Sequence, residues 1–404
     1  MPDEPTANAS RRDRDFQRIL LIKPSALGDV IHTLPVLRRL RARFPAARID
    51  WLLTPALADL LRHHPDLSNV VVFDRRKLGR IARPIAAGAG IAGLLAKLRK
   101  PRYDLVIDLH GQIRSGFFAL VTGARTRIGF DRPRRAPHAA DRRLPDSAYR
   151  HGWTGAREGA WMAYTHRIPI QRLDVHAVDR YLWLGDMLGF ESGPIAFDLP
   201  IADAWRESVA AKLAQRGVRE QPLAVMSPGT IWETKRWTVA GFAAVAKHLR
   251  DRGQTVVLIG APNEAERCRD VAQACPGVFD LCGQTSIPEL AALIDRATVV
   301  ITNDSGPMHL AAALGRPVVA MFGPTDELWV GPYGQPQGAI RLELDCAPCY
   351  LRRLSRCPHG HRCMRDLRAE NVIKRLNELP LNAVGMSQSA RALPKIQHTG
   401  GVAK

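Results

Sequence analysis

The chain has 404 residues, a formal net charge of +19, 46% hydrophobic residues and seven cysteines. This length exceeds what one hydrophobic core organises, so two domains are expected; no apolar run approaches the roughly 18 residues of a membrane span. The odd cysteine count, with an acid-containing N-terminus MPDEPTANASRRDRDF that lacks an apolar stretch, argues against a disulfide framework and predicts a cytoplasmic protein.

Residues 1–16 read as a loose tail, polar and without period. Short β-branched runs follow, RILLIKP (18–24), ARIDWLL (47–53), NVVVFD (69–74) and DLVIDLH (104–110), alternating with helical periods such as VIHTLPVLRRLRARF. That alternation predicts βα units around a parallel sheet buried on both faces. Gly88, Gly90 and Gly93 spell GxGxxG, but the residues before them, IARPIAA, are no strand, so the match is not read as a dinucleotide loop. Residues 131–200 are basic, rich in Pro and Arg, and less periodic. Alternation resumes with PLAVMSP (222–228), TVVLIG (255–260), VFDLCG (278–283), TVVITND (298–304) and PVVAMFG (317–323). Two doubly wound domains are expected, over 17–200 and 201–384, with a second tail at 385–404. In such sheets ligands bind beyond the carboxyl ends of the strands, which predicts a site in the cleft between the domains.

Three strand-end turns carry candidate chemistry. In KPSALGDV, Asp29 either caps the following helix or serves as a general base. Lys23 and Ser25 either steady an anionic group there or are a solvated lysine and a turn serine. In TNDSGPMHL, Asp304, Ser305, Gly306 and His309 stand where a strand enters a helix, and the unsatisfied N–H groups of a helix N-terminus bind phosphate. Asp304 as a cap and His309 as core packing are the plainer alternatives. In MSPGTIWETKRW, Thr230 offers a hydroxyl and Lys235 a mobile point charge suited to a pyrophosphate, unless it is surface charge.

The stretches KPSALGDVIHTLP, DLVIDLHGQIRSG, SPGTIWETKRW, GAPNEAER and TNDSGPMHLAAALGRPVVAMFGPTD resemble, in this order and spacing over about residues 18–375, the ADP-heptose:lipopolysaccharide heptosyltransferases of glycosyltransferase family nine, closest to type I members. The resemblance implies a GT-B fold, two Rossmann-like domains with the acceptor on the N-terminal side and the nucleotide sugar on the C-terminal side. It implies an inverting transfer of heptose from ADP-heptose to the Kdo or heptose inner core, on Kdo-lipid A or heptosyl-Kdo-lipid A, without a cofactor or a DxD metal site. The only DxD here, Asp13-Arg14-Asp15, falls in the expected tail. By the same resemblance Asp29 is the catalytic base and Thr230, Lys235, Ser305, Gly306 and His309 contact the phosphates, Lys235 also aiding catalysis. Glu264 of GAPNEAER is the ribose-binding acid, Asp304 matches an acid of the nucleotide motif, and HAVDRY (176–181) matches a segment of type I enzymes. Lys23, Ser25, His110, Gln112 and Arg114 are the acceptor-side candidates.

Two features depart from the type I pattern. Residues 131–150, DRPRRAPHAADRRLPDSAYR, look like a basic insertion where acceptor contacts are expected. Cys346-x2-Cys349-x7-Cys357-x5-Cys363, with His359 and His361, begins with a metal-like spacing but continues irregularly for a zinc knuckle; a bound metal and plain packing both remain open. The positive balance fits phosphorylated lipid A and the anionic inner face of the inner membrane, where the protein is expected to act peripherally. Nucleic acid is disfavoured, because aromatic residues are only 6% of the chain. Another nucleotide sugar, or another cell-envelope glycan as acceptor, is the alternative within the same reaction class.

Overall fold

The computed structural model describes residues 14–74, 84–134, 147, 151–218 and 222–379. β1 (Arg18–Ile22), α1 (Leu27–Arg43), β2 (Arg48–Leu53), α2 (Pro55–Leu61), β3 (Asn69–Val72), α3 (Pro84–Arg99), β4 (Leu105–Asp108) and α4 (Ile113–Val121) follow the alternation of the N-terminal half. Two further strands, β5 (Thr126–Phe130) and β6 (His166–Ile168), lie outside the apolar runs and complete a six-stranded sheet of order β3-β2-β1-β4-β5-β6. Every neighbouring pair is parallel. Leu20, Ile22, Val106 and Ile107 are fully buried, as expected where helices cover both faces. Gly88, Gly90 and Gly93 sit within α3, and a side chain added at Gly93 would meet nothing within 4 Å. They form no phosphate loop. Phe16, in the expected tail, is buried edge-on against Phe44.

The chain then passes through α5 (Ala177–Leu182), α6 (Gly185–Leu188) and α7 (Asp203–Gln215). The second sheet alternates β7 (Leu223–Ser227), α8 (Val239–Asp251), β8 (Thr255–Leu258), α9 (Ala265–Ala274), β9 (Phe279–Asp280), α10 (Ile287–Arg296), β10 (Val299–Asn303), α11 (Gly306–Ala313), β11 (Val318–Met321), α12 (Glu327–Val330) and β12 (Ala339–Ile340). Its order is β12-β11-β10-β7-β8-β9, which read from β9 repeats the strand order of the first sheet, and all its pairs are parallel. α13 (Arg362–Arg365) and α14 (Ala369–Glu378) follow, α14 packing on α8.

Local chemistry sets several of these boundaries. α10 begins with a reciprocal cap, Ser286 N–H donating to Glu289 Oε2 at 2.7 Å while Ser286 Oγ accepts from Glu289 N–H at 3.4 Å. Glu289 also holds Ser208 Oγ and Lys212 Nζ of α7, each at 2.6 Å, and Arg206 pairs with Asp295. These bonds fasten α7 to the second sheet. α1 packs against α11 and α2 against α10, so the two sheets share a continuous apolar core while their strand ends face one cleft. Among the described residues no helix is long and apolar enough to cross a membrane.

Candidate active site

Asp29 is the third residue of α1, not part of the loop before it; Ala26 is the N-cap and donates its N–H to Asp29 Oδ2 at 3.2 Å. The carboxylate therefore serves the helix end and still reaches the cleft, with 42% of its side chain exposed. Its other oxygen, Oδ1, pairs with Lys23 Nζ at 3.2 Å and accepts from Tyr181 Oη at 3.1 Å. Lys23 is not the solvated lysine considered above: it is 5% exposed and also donates to Leu109 O at 3.1 Å. Burial works against both charges. The mutual pairing outweighs it, holding the Asp29 carboxyl below its ordinary value and the Lys23 ammonium above its own. Each carboxylate oxygen offers about two lone-pair sites. Oδ1 is filled twice and Oδ2 once, which leaves Oδ2 an acceptor position toward the cleft.

Ser25 is partly exposed on the same turn. The β4 turn comes alongside, its form fixed by buried Asp108, whose Oδ1 accepts from His110 N–H at 2.9 Å and Gly111 N–H at 3.2 Å. His110 is neutral, pushed down to about 4 by burial and by Lys23. Its ring lies within electrostatic reach of Asp29 and bonds the Gln112 side chain. Gln112 is the N-cap residue of α4, and Arg114 in its first turn stands 6.0 Å from the centre of the Phe73 ring. Lys23 and His110 thus stand beside Asp29, with Gln112 bonded to His110 and Arg114 within electrostatic reach of it.

Across the cleft, Lys235 is not surface charge. It is 14% exposed and pairs with Asp304 Oδ2 at 2.6 Å, and Thr325 Oγ1 donates to the same oxygen at 2.6 Å. Asp304 does not cap α11; Ser305 is its N-cap residue, with Oγ bonded to Thr302 Oγ1 at 2.9 Å. Gly306 opens the helix, and a Cβ there would lie 3.0 Å from Leu27 Cδ2 of the facing domain. Thr230 is buried on the β7 turn, with its carbonyl accepting from Arg236 Nε at 3.0 Å. Glu264 closes the β8 turn by accepting Ala261 N–H at 2.8 Å, and its side chain covers Gly229 and Gly260. Strand ends β7, β8 and β10 bring these residues onto one wall.

His309 joins the two walls. Its Nδ1 bonds His32 Nε2 of α1 at 2.9 Å, and its ring fills the space of a Gly28 side chain, 2.3 Å from where that Cβ would stand. His309 lies within electrostatic reach of Asp29, Asp304 and Lys235, and burial pushes it down to about 4, so it is neutral at neutral pH. His176 packs edge-on to His32, is held down to about 3 by burial, and bonds Gly331 O at 3.1 Å. Tyr181, His32 and Thr325 were not among the residues singled out from sequence. Tyr181 belongs to HAVDRY and His32 to the ALGDVIHTLP turn, so each had a signal without an assigned role. Thr325 had only its place in FGPTD. Asp13 of the DxD, and residues 135–146 and 148–150 of the basic stretch, lie outside the described residues.

A family model for glycosyltransferase family 9 (heptosyltransferase) matches residues 91–147 and 142–356. Lipopolysaccharide heptosyltransferase 1 of Pseudomonas aeruginosa is 28% identical over 358 residues, 88% of this chain and 93% of that protein. Lipopolysaccharide heptosyltransferase 3 of Escherichia coli is 30% identical over 312 residues, 76% of this chain and 83% of its own. The crystal structure of a family 9 glycosyl transferase from Veillonella parvula is similar with a TM-score of 0.70 at 25% identity, covering 90% of this chain and 97% of that one. The α/β architecture of two parallel six-stranded sheets is thus a GT-B fold, and the chain belongs to glycosyltransferase family 9, the heptosyltransferases.

Proposed function

We propose that the protein transfers heptose from ADP-heptose, with inversion, to the Kdo or heptose inner core of a lipid A-linked acceptor, working at the anionic inner face of the inner membrane. The observation that carries the reading is the open position on Asp29 Oδ2 in a carboxylate held ionised by Lys23, facing a wall with Lys235 and the α11 N-terminus. The acceptor hydroxyl donates to Asp29 Oδ2. As its oxygen attacks the anomeric carbon, the proton passes to the carboxylate and the bond to the β-phosphate breaks, leaving its electron pair on ADP. Lys235 and the N–H groups of Ser305 and Gly306 meet the charge that develops there, an interaction that strengthens in the transition state. Thr230 and neutral His309 bind the same phosphates, and Glu264 the ribose.

Arg157 and Arg352 support an anionic acceptor, since they lie within electrostatic reach of each other and Arg157 of Asp29. Ser25, His110, Gln112 and Arg114 complete the acceptor side. In this reading residues 17–200 bind acceptor and 201–384 bind donor. Incubation with ADP-heptose and, separately, Kdo-lipid A and heptosyl-Kdo-lipid A tests it. One acceptor should gain the mass of a single heptosyl residue. No gain on either, with a melting temperature raised by a different nucleotide sugar and not by ADP-heptose, would instead favour another donor.

A further inference from the structure

After β12 the chain runs from Arg341 to Asp366 with only a 3-10 turn at Leu354–Arg356 and the single turn of α13. An irregular stretch of that length inside a compact domain needs something besides ladder hydrogen bonds to order it. Cys346, Cys349, Cys357 and Cys363 from this stretch line one cavity of about 420 Å³, together with His359. All four are free thiols; the first three are partly exposed and Cys363 is buried. Cys363 lies within electrostatic reach of the other three. One cysteine pair with two residues between its members, Cys346 and Cys349, shares a cavity with two further thiols, which makes a four-sulfur donor set of the kind closed structural zinc sites use, and soft thiolates select zinc over hard cations.

The one group among the described residues with three ligand atoms already within 4.8 Å is Cys268, Asp280 and Cys282. Its sulfurs have backbone partners, Cys268 donating to Ile259 O at 3.6 Å and Cys282 to Ala261 O at 3.3 Å, while Asp280 accepts Cys282 N–H at 2.8 Å. That cluster is satisfied as thiols. The four cysteines of the later loop stand wider apart, and an ion would draw their sulfurs to about 3.8 Å of one another, the edge of a tetrahedron with Zn–S bonds near 2.3 Å.

We propose that Cys346, Cys349, Cys357 and Cys363 bind one zinc ion as a tetrathiolate site. Each thiol gives up its proton to solvent as its sulfur ligates, so up to four protons leave per ion bound and no redox partner is needed. The site sits behind the donor wall. Thr234 Oγ1 donates to Leu351 O at 2.5 Å, His361 Nε2 bonds Thr234 O at 2.7 Å, and Leu354 N–H donates to Glu233 Oε2 at 3.0 Å. Arg352 and Lys235 both stand over the Trp232 ring, at 4.6 and 4.4 Å from its centre. Zinc would therefore fix the loop that holds the Glu233–Lys235 turn in place.

The full chain, expressed without a polyhistidine tag in medium replete in zinc and iron, supplies the test by elemental analysis. Close to one equivalent of zinc is expected. Cobalt exchanged into the site should give intense thiolate-to-metal absorption with the visible bands of tetrahedral cobalt. Cys349→Ser combined with Cys357→Ser should reduce zinc at least tenfold. Should that variant not fold, a mercurial titrated into the wild-type protein should release zinc in step with thiol modification. Metal-free protein whose melting temperature ignores added zinc and chelator overturns the proposal. So do one equivalent of iron in place of zinc, disulfides among these four cysteines, and full zinc retention in the double variant. Metal content is read without turnover, so it stands or falls separately from the transfer reaction.

Discussion

At Asp29 burial and charge pull in opposite directions, and the Lys23 ammonium at 3.2 Å decides the outcome. A carboxyl lowered in the folded state adds stability above its unfolded value and loses it as pH falls through the folded one. A raised lysine adds stability below its unfolded value and loses it as pH rises through the folded one. Asp29 should therefore stay ionised from neutral pH down to below the usual carboxylate range, and its own protonation should not limit activity above that range. Lys23→Met removes the ammonium, so the acid limb of kcat/KM should move to higher pH, with a lower melting temperature at neutral pH. An acid limb that stays in place would show that Lys23 does not set the Asp29 charge. At Lys235, Lys235→Ala should weaken ADP binding and slow turnover by roughly 10²- to 10³-fold. Changes within twofold in both would make it a structural partner of Asp304 alone. Both charged residues were legible in the sequence because each follows a strand end. Lys23 and Asp304 were legible for the same reason, but their pairing with Asp29 and Lys235 was not, since they meet only when a turn folds back or two strand ends come together.

The elements most legible were those whose burial writes a run of β-branched residues. β5 was missed because its run is broken at Gly129, where a side chain would collide with the Tyr164 ring, 2.4 Å from the position of its Cβ. β6 and β12 have three and two residues, too few to show a period. The helix pair α1 and α11 carries a consequence that no single-segment pattern contains: Gly28 and Gly306 let the two helices meet, and His32 reaches His309 across the gap. His32→Phe should free the His309 ring and raise the donor KM several-fold with a smaller change in kcat, and His32→Gln, which keeps a hydrogen-bonding group, should recover part of the loss. Steady-state kinetics with donor varied provides the check. A folded His32→Phe enzyme with an unchanged donor KM would reduce the pair to packing.

Over the whole molecule the net charge of +19 is partly spent inside. Arg39 donates to Gly193 O at 2.7 Å and Pro194 O at 2.9 Å, and Arg41 to Ala47 O at 2.8 Å, so these guanidiniums tie segments together. The two-sheet architecture was readable because both halves repeat one βα rhythm; the facing of the strand ends was an inference from that architecture, and the helix contacts that produce it were not readable. In the proposed mechanism one domain supplies the base and the other holds the donor. Asp29→Asn tests it most directly, because asparagine keeps the size and the Ala26 contact but takes no proton. Turnover should fall by roughly 10²- to 10⁴-fold, with ADP affinity within twofold of wild type and a melting temperature lowered only by the loss of the Lys23 pair. A folded Asp29→Asn enzyme that binds ADP normally and turns over at the wild-type rate would contradict the role of Asp29 as base.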